Sequence, residues 1–438
     1  MKFERLRPTE HQFQKHEWLG EIPNHWKIQP LKTVTQLVNR GNSPEYVDES
    51  SVKVINQACI QWSGLNLENI KFQKDQDVSQ WKGLLFPGDL LINSTGTGTL
   101  GRLALFKEQG NFIADGHVTI IRVNHQIVDY RYLYYLLQTS LYQGFIYNTI
   151  VSGSTNQIEL SRDGLRNLPI IIPRYPEQHA IADFLDRETG RIDVLIDKKQ
   201  RLLDLLAEKR SVLIDHTVLN GLNHNIKKKQ SDSEWIGEIP EHWRTTRSKW
   251  LFALRNKKAL ETEKQLTVSQ ELGVVTQDEF MAHEGRRVVQ VIKGADILKH
   301  VEPNDFIISM RSFQGGIEWS KIGGSTSSAY VVLIPSSQIY PPYFSYLLKC
   351  KKYIQALQST SNLIRDGQAL RYTNFCLVDL PVVPFEEQKA IAEFLSRENV
   401  KIDALINKVG NFINRLREYR ATLISAAIKG KFQIPVDS

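Results

Sequence analysis

Three short runs in this 438-residue chain have residue types associated with known chemistry, and each lacks a part that the chemistry needs. Gly96-Thr97-Gly98-Thr99-Leu100-Gly101 has the G-x-G-x-x-G spacing that cradles a pyrophosphate. That role requires a helix N-terminus directly after the glycines, where free backbone N–H groups face the anion. Arg102-Leu103-Ala104-Leu105-Phe106 follows instead and reads as a strand, so a tight loop is expected. Tyr340-Pro341-Pro342-Tyr343 has the outline of a loop that grips an adenine amino group, but a tyrosine stands where the gripping Asn or Asp belongs. Its prolines are expected to open a helix over 343–352. Glu387-Gln388-Lys389 imitates the end of a nuclease motif, while an earlier stretch reads Glu177-Gln178-His179. Acidic groups near a positive helix N-terminus account for both. No G-x-x-x-x-G-K-[ST] phosphate loop occurs, so no intrinsic ATPase is expected, and no catalytic constellation survives.

Composition narrows the classes further. With 41% hydrophobic and 24% charged residues the chain reads as a soluble globular protein of two to four domains. A net charge of +7 has the sign that suits a phosphate-bearing partner. Cys59, Cys350 and Cys376 are scattered without C-x-x-C spacing or clustered histidines, which argues against a disulfide framework and against zinc. Neither a signal peptide nor a membrane span is legible, so the cytoplasm is the expected location.

The elements that position these runs come as a duplication. Glu17-Trp18-Leu19-Gly20-Glu21-Ile22-Pro23-Asn24-His25-Trp26 returns as Glu234-Trp235-Ile236-Gly237-Glu238-Ile239-Pro240-Glu241-His242-Trp243, an offset of 217 (234 − 17). Ala180-Ile181-Ala182-Asp183-Phe184-Leu185 returns as Ala390-Ile391-Ala392-Glu393-Phe394-Leu395, an offset of 210 (390 − 180). Leu168-Pro169 and Leu380-Pro381 precede these tails. Between the anchors, residues 28–167 and 245–379 share a rhythm of short β-like runs but few identities. The recurrence of Trp18, Trp26, Trp235 and Trp243 in both copies marks them as scaffold.

Each copy ends in a long helical pattern, from about 177 to 220 and from about 386 to 429. In the second, Ile402, Leu405, Val409, Phe412, Leu416, Tyr419 and Leu423 advance in steps of three and four, the seam of a coiled coil. The first places Ile192, Leu195, Lys199, Leu202, Leu206, Lys209 and Leu213 in the same phase. Its two lysines must lay their stems across the seam and keep the ammonium groups wet, making this helix the more dependent on a partner subunit. Chain connectivity then requires the two helices, each roughly 66 Å long, to pair antiparallel about a pseudo-twofold axis. The expected fold class is α+β: two mixed α/β globular domains, each followed by a long helix, the helices pairing as an antiparallel coiled coil.

Trp-x-Gly-x-Ile-Pro-x-x-Trp at the head of each copy resembles the specificity subunits of type I restriction-modification enzymes. So do the 88–102 run, the Arg311-Ser312-Phe313-Gln314-Gly315-Gly316 turn and the Leu-Pro…Pro…Glu-Gln…Ile-Ala-x-Phe-Leu tails. The resemblance covers nearly the whole chain. It implies target-recognition domains over 1–167 and 224–379, conserved helices over 168–223 and 380–438, and readout of a gapped, two-part DNA sequence. It also implies docking of two modification subunits, onto which restriction subunits assemble. The chain itself is then non-catalytic and cofactor-free, with S-adenosylmethionine, ATP and magnesium used by the other subunits. The rival readings are a self-contained DNA methyltransferase or nuclease, and a coiled-coil adaptor that binds only proteins.

Base edges are read by Arg, Lys, Asn and Gln, and more loosely by Ser and Thr. On that chemistry the DNA-contact candidates in the first copy are Asn93, Ser94, Thr95, Thr97 and Arg102, with Ser154, Thr155, Asn156 and Gln157. In the second they are Arg311, Ser312 and Gln314, with Asn362, Arg365, Gln368 and Arg371. Lys227, Lys228 and Lys229 read as an exposed linker that can also meet phosphate.

Overall fold

Two turns show why the halves of the chain build the same sheet. Gly88 and Asn304 carry positive φ angles of 98° and 78°, a backbone state that glycine and asparagine tolerate. The aspartates that follow close their own turns, Asp89 Oδ2 accepting from the Phe86 N–H and Asp305 Oδ2 from the Glu302 N–H, each at 2.8 Å. Both carboxylates are buried, and a buried carboxylate needs a paired, hydrogen-bonded cation. Arg122 grips Asp89 with Nε at 2.8 Å and Nη2 at 2.7 Å. Arg255 grips Asp305 with Nε at 2.6 Å and Nη2 at 2.9 Å. Arg122 lies on strand Val118–Val123, whereas Arg255 follows strand Phe252–Leu254, so the duplicated turn is held from different strands.

The computed structural model describes residues 13–435 except 17, 76, 78, 80, 155–156, 224, 286–296, 311 and 361–370. It divides into one unit formed by 1–199 with 411–438 and a second formed by 200–410. In the first, an antiparallel sheet runs Leu103–Leu105, Leu90–Asn93, Val118–Val123, Thr35–Arg40. A second sheet runs Phe112–Ala114, Val52–Ile55, Lys71–Gln73, Tyr46–Val47, its first pair parallel. The second unit repeats the first sheet as Glu318–Trp319, Phe306–Ile308, Val331–Pro335, Phe252–Leu254, in the equivalent order. Smaller ladders join Lys299–Val301 to Gly324–Thr326 and Leu266–Ser269 to Gly273–Thr276.

The recurring tryptophans serve these cores. Trp26 and Trp243 are buried, Trp18 stacks on Phe145 with ring centroids 4.1 Å apart, and Trp235 Nε1 donates to the Asp379 carbonyl at 3.1 Å. Lys228 and Lys229 lie in a short strand, Lys228–Gln230, paired with Glu238–Pro240, while Lys227 is ion-paired with Glu241 at 3.1 Å. The lysine run is therefore tied into structure beyond the expected bare linker.

The long helices span Tyr175–Asn220 and Phe385–Ile428, within two residues of the sequence-based expectation. Each unit contains a part of both. In the first unit, Asp193 pairs with Arg420 at 3.0 Å and Lys199 lies 5.5 Å over the Phe412 ring, so numbers rise on one helix as they fall on the other. In the second unit Arg210 pairs with Asp403. These ion pairs are equivalent, since 403 − 193 and 420 − 210 are both 210.

The pairing face is displaced from the expected one along half of its positions. Ile192, Leu206, Ile402, Leu416 and Leu423 are buried, with Leu213 and Val409 half-buried. Leu195 is half-buried, Leu202 exposed, and Leu405, Phe412 and Tyr419 are exposed by 49, 43 and 37%. Of the residues one position further on, Ile413 is buried and Leu203, Arg210, Ile406 and Arg420 are half-buried, more covered than the neighbours before them, while Ile196 is half-buried like Leu195. Both phases satisfy a three–four step, and the isoleucines at 406 and 413 fit the inward one. Among the described residues no helix is long and apolar enough to cross a membrane.

Candidate nucleic-acid interface

The glycine-rich run of the first unit is a closed loop leading into strand Leu103–Leu105, not a phosphate cradle. Its ends are clasped by the Asn93 N–H donating to the Arg102 carbonyl and the Gly101 N–H donating to the Asn93 carbonyl, both at 2.9 Å. Gly96, Gly98 and Gly101 turn the chain with φ of 91°, 85° and 84°. Asn93 and Ser94 point inward and are fully buried. Asn93 Nδ2 donates to the Gln57 carbonyl at 3.2 Å, and the Ser94 hydroxyl meets that of Thr119 at 2.5 Å. Asn93 Nδ2 and the Ser94 hydroxyl are spent on fixing the loop, and both side chains are buried, so they do not present themselves to a ligand.

Thr97 is exposed and Thr95 half-buried. The Thr95 hydroxyl lies 2.9 Å from His117 Nδ1, and Gln57 Nε2 donates to it at 2.6 Å. Arg102 is half-buried, its guanidinium donating to Gln61 Oε1 at 2.9 Å and to the Gly98 carbonyl at 3.1 Å. This braces the loop against Ile60–Gln61, one arm of a hairpin whose other arm is Gly64–Leu65. Trp62, at that hairpin's tip, is 59% exposed. An exposed tryptophan on a polar turn is a candidate that pattern reading passed over, although its signal, Gln61-Trp62-Ser63, is present in the sequence.

The second candidate stretch comes to the same place. Strands Val151–Ser154 and Gln157–Leu160 pair as a hairpin whose base is bonded to the loop, the Leu160 N–H donating to the Ser94 carbonyl at 2.8 Å and Thr95 bridging Glu159. Ser154 and Gln157 flank its tip, and Thr155 and Asn156 lie outside the described residues. Beneath the loop, burial pushes the Asp115 carboxyl above the usual range while it accepts from the His117 N–H at 2.9 Å.

In the second unit, Ser309 opens the corresponding turn. Ser312 is buried and its hydroxyl accepts from the Ser309 N–H at 2.9 Å, a bracing role matching that of Ser94. Gln314 is exposed on the short helix Ser312–Gly315. Gly316 has φ of 82°, and a Cβ there would fall 2.3 Å from the Leu348 carbonyl oxygen, so glycine is required. Arg371, exposed, starts helix Tyr372–Leu377, its N–H meeting Asn374 Oδ1 at 3.3 Å. Among the described residues no hydrogen bond or ion pair joins Gln314 to Arg371. Arg311, Asn362, Arg365 and Gln368 lie outside the described residues.

In each unit the Glu-Gln pair docks the head motif and a neighbouring turn onto the long helix. Glu177 Oε1 lies 2.8 Å from His25 Nε2, and Glu387 Oε1 lies 2.6 Å from His242 Nε2. Gln178, buried, donates to the Pro173 and Ile127 carbonyls at 3.0 and 3.2 Å and accepts from the Asp129 N–H at 3.0 Å. Gln388 repeats this with Val383, Gln338 and the Tyr340 N–H, at 2.8, 2.8 and 2.7 Å. The two prolines that resembled an adenine-gripping loop instead begin helix Pro341–Leu347, shorter than expected. Among the described residues no group of three or more His, Cys, Asp or Glu side chains is placed to hold a metal.

Equivalent docking residues beneath unlike polar loops define a two-headed recognition protein. The type I restriction modification DNA specificity domain matches residues 23–203 and again 240–414, most of the chain, and the chain belongs to that family. It is thus a specificity subunit of a type I restriction-modification system, with two recognition domains and a non-catalytic role. A putative type I restriction enzyme MjaX specificity subunit of Methanocaldococcus jannaschii is 22% identical over 448 residues, covering 97% of each chain. The MjaVIII specificity subunit of the same organism is 24% identical over 222 residues, 48% of this chain and 49% of that one. A solved structure from work on complex assembly and conformational transition of the type I R-M system has a TM-score of 0.64 at 16% identity, over 94% of this chain and 99% of that one, a likeness of fold.

Proposed function

We propose that the two recognition domains read the two halves of a gapped DNA sequence, with heads over 1–167 and 224–379 and the helices over 168–223 and 380–438 setting the gap. The observation that supports this most is the contrast between the units: His–Glu and Gln anchors are equivalent, while the surface loops they carry differ. A common scaffold with unlike loops suits two half-sites of different sequence. Helices of 46 and 44 residues are each roughly 66–69 Å long at 1.5 Å per residue, about two turns of duplex.

Thr95, Thr97, Arg102, Ser154 and Gln157, with Gln61 and Trp62, are the proposed contacts of the first head. Gln314 and Arg371 are those of the second. Thr155, Asn156, Arg311, Asn362, Arg365 and Gln368 complete the set on sequence grounds. Two modification subunits dock on the helices and restriction subunits join them, in the cytoplasm; S-adenosylmethionine, ATP and magnesium serve those subunits. Methylome sequencing of the host with and without this gene tests the reading. One two-part methylated motif that vanishes with the gene supports it; an unchanged methylome, with the modification subunits expressed, refutes it.

A further inference from the structure

A piece of the core that is apolar in the first unit is polar in the second. In the first, Ile113 lies between Val54 on a parallel strand and Leu84 on an antiparallel bridge, and Ala114 follows; Val54, Ile113 and Ala114 are fully buried. In the second, Ser325 lies between Gln265 on a parallel bridge and His300 on an antiparallel strand, and Thr326 follows. The alignment of these ladders makes Gln265, Ser325 and Thr326 the equivalents of Val54, Ile113 and Ala114. Where the first unit has three apolar side chains, the second has an amide and two hydroxyls.

A cavity of about 310 Å³ lies beside them. Leu266, Leu298 and Tyr330 form apolar and aromatic walls, and the Ser327–Ser328 turn contributes to its lining. Thr326 and Gln277 also line it, and Thr326 Oγ1 and Gln277 Oε1 are buried with no hydrogen-bond partner. Thr326 is only 2% exposed. Unpaired buried polar atoms are costly, and most find a partner. Among the described lining residues none is charged, which disfavours a phosphate or a cation as occupant. The volume sits at the small end of ligand pockets.

The cavity adjoins the second head's candidate loop. Ile308 pairs with Val331, and the same register carried one step further sets Ser309, where the loop begins, across from Tyr330. In the first unit the equivalent of the Ser327–Ser328 turn is the Asp115–Gly116 turn, which leads to the His117 that meets Thr95.

We infer that this cavity receives one nucleobase, with a base N–H donating to Gln277 Oε1, the Thr326 hydroxyl bonding a base nitrogen or oxygen, and the leucines and Tyr330 covering the ring. The base comes either from a duplex, by extrusion, or from a free nucleoside; only the first source rests on the DNA-reading proposal. The full-length protein is titrated with the four deoxynucleosides by calorimetry. In parallel it is mixed with duplexes carrying its methylome-defined target, with 2-aminopurine at successive positions. Retention of the same duplexes without the probe is measured separately.

At least one nucleoside is expected to bind, at least tenfold more weakly to T326V and to Q277L. Because Thr326→Val removes an unpaired hydroxyl at nearly constant shape, its Tm should be unchanged or higher, which separates a binding role from a structural one. Brightening of 2-aminopurine at one position, lost in T326V, assigns the base to the duplex; nucleoside binding without brightening assigns it to the free pool. The inference is overturned if no nucleoside binds and no position brightens, whether or not the duplex is retained, or if T326V binds normally or has a lower Tm. Failure to retain duplex, with nucleosides still bound, refutes the DNA reading and leaves the cavity's assignment intact.

Discussion

Replacing Gln178 by leucine should strongly destabilise the first unit, although glutamine and leucine differ little in size. The side chain donates to the Ile127 and Pro173 carbonyls and accepts from the Asp129 N–H, at 3.2, 3.0 and 3.0 Å. Leucine can replace none of these bonds, and with residue 178 only 1% exposed, water cannot readily reach the groups left behind. Each buried orphan costs about 1–3 kcal/mol, and because the three share one site the total is expected to be about 3–6 kcal/mol. That is a large part of the roughly 5–15 kcal/mol that stabilises a typical domain. Gln388→Leu should cost the second unit a similar amount, since Gln388 makes the equivalent three bonds. Urea unfolding followed by far-UV circular dichroism measures both. Gln178→Glu sharpens the test: its carboxylate still accepts from Asp129 but donates to neither carbonyl, so it should be destabilised at pH 7 and partly recover as acid protonates it. A loss below about 1 kcal/mol in Gln178→Leu would show that the buried amide does not clasp the 127–129 turn to the helix.

Further expectations follow from the same geometry. Asn93→Ala should lower stability by about 1 kcal/mol in thermal unfolding by removing the bond to Gln57, whereas Thr97→Ala should leave stability within about 0.5 kcal/mol and weaken retention of the target duplex. Trp62→Ala should likewise lower duplex affinity without lowering Tm, because the ring is mostly exposed. Reversing one charge with Asp193→Lys should cost about 0.2–1 kcal/mol in urea unfolding, with recovery when Arg420→Asp is added, since the pair is partly exposed. Burial works against the Asp129 carboxylate, but the Arg131 guanidinium and N–H together with His179 outweigh it and hold its pKa below the ordinary 3.8. The folded value is the lower one, so this contribution to stability is present above about pH 3.8 and is lost as pH falls through the folded value. Asp129→Asn should therefore flatten the acid limb of a stability–pH profile.

What was legible in the sequence was what local pattern encodes. The duplication was visible because its anchors serve equivalent places in both copies: Trp26 and Trp243 are buried, and Gln178 and Gln388 have the same partner types. The helix limits were visible because the three–four step, interrupted only by Lys199 and Lys209, continues to Leu213 and Leu423, within seven residues of the ends at Asn220 and Ile428. The seam's phase was only half legible: Leu405 and Ile406, or Phe412 and Ile413, are adjacent apolar choices, and tertiary packing selects the second of each. Loop orientation was hidden for a related reason. Asn93, Ser94 and Ser312 have the chemistry of base readers, but strand alternation and the Gln57, Thr119 and Ser309 contacts turn them inward. The polar cavity around Thr326 could emerge only from ladder alignment, because Gln265, Ser325 and Thr326 share no short motif.

The independence of the two heads is tested most directly by exchanging one of them. Residues 28–167 would be exchanged for those of another family member, and the methylome of a host carrying the chimera compared with that of the parent. One half of the methylated sequence should change while the other half and the gap stay as they were. A chimera that forms a stable complex yet changes both halves, or neither, would contradict the assignment of one half-site to each recognition domain.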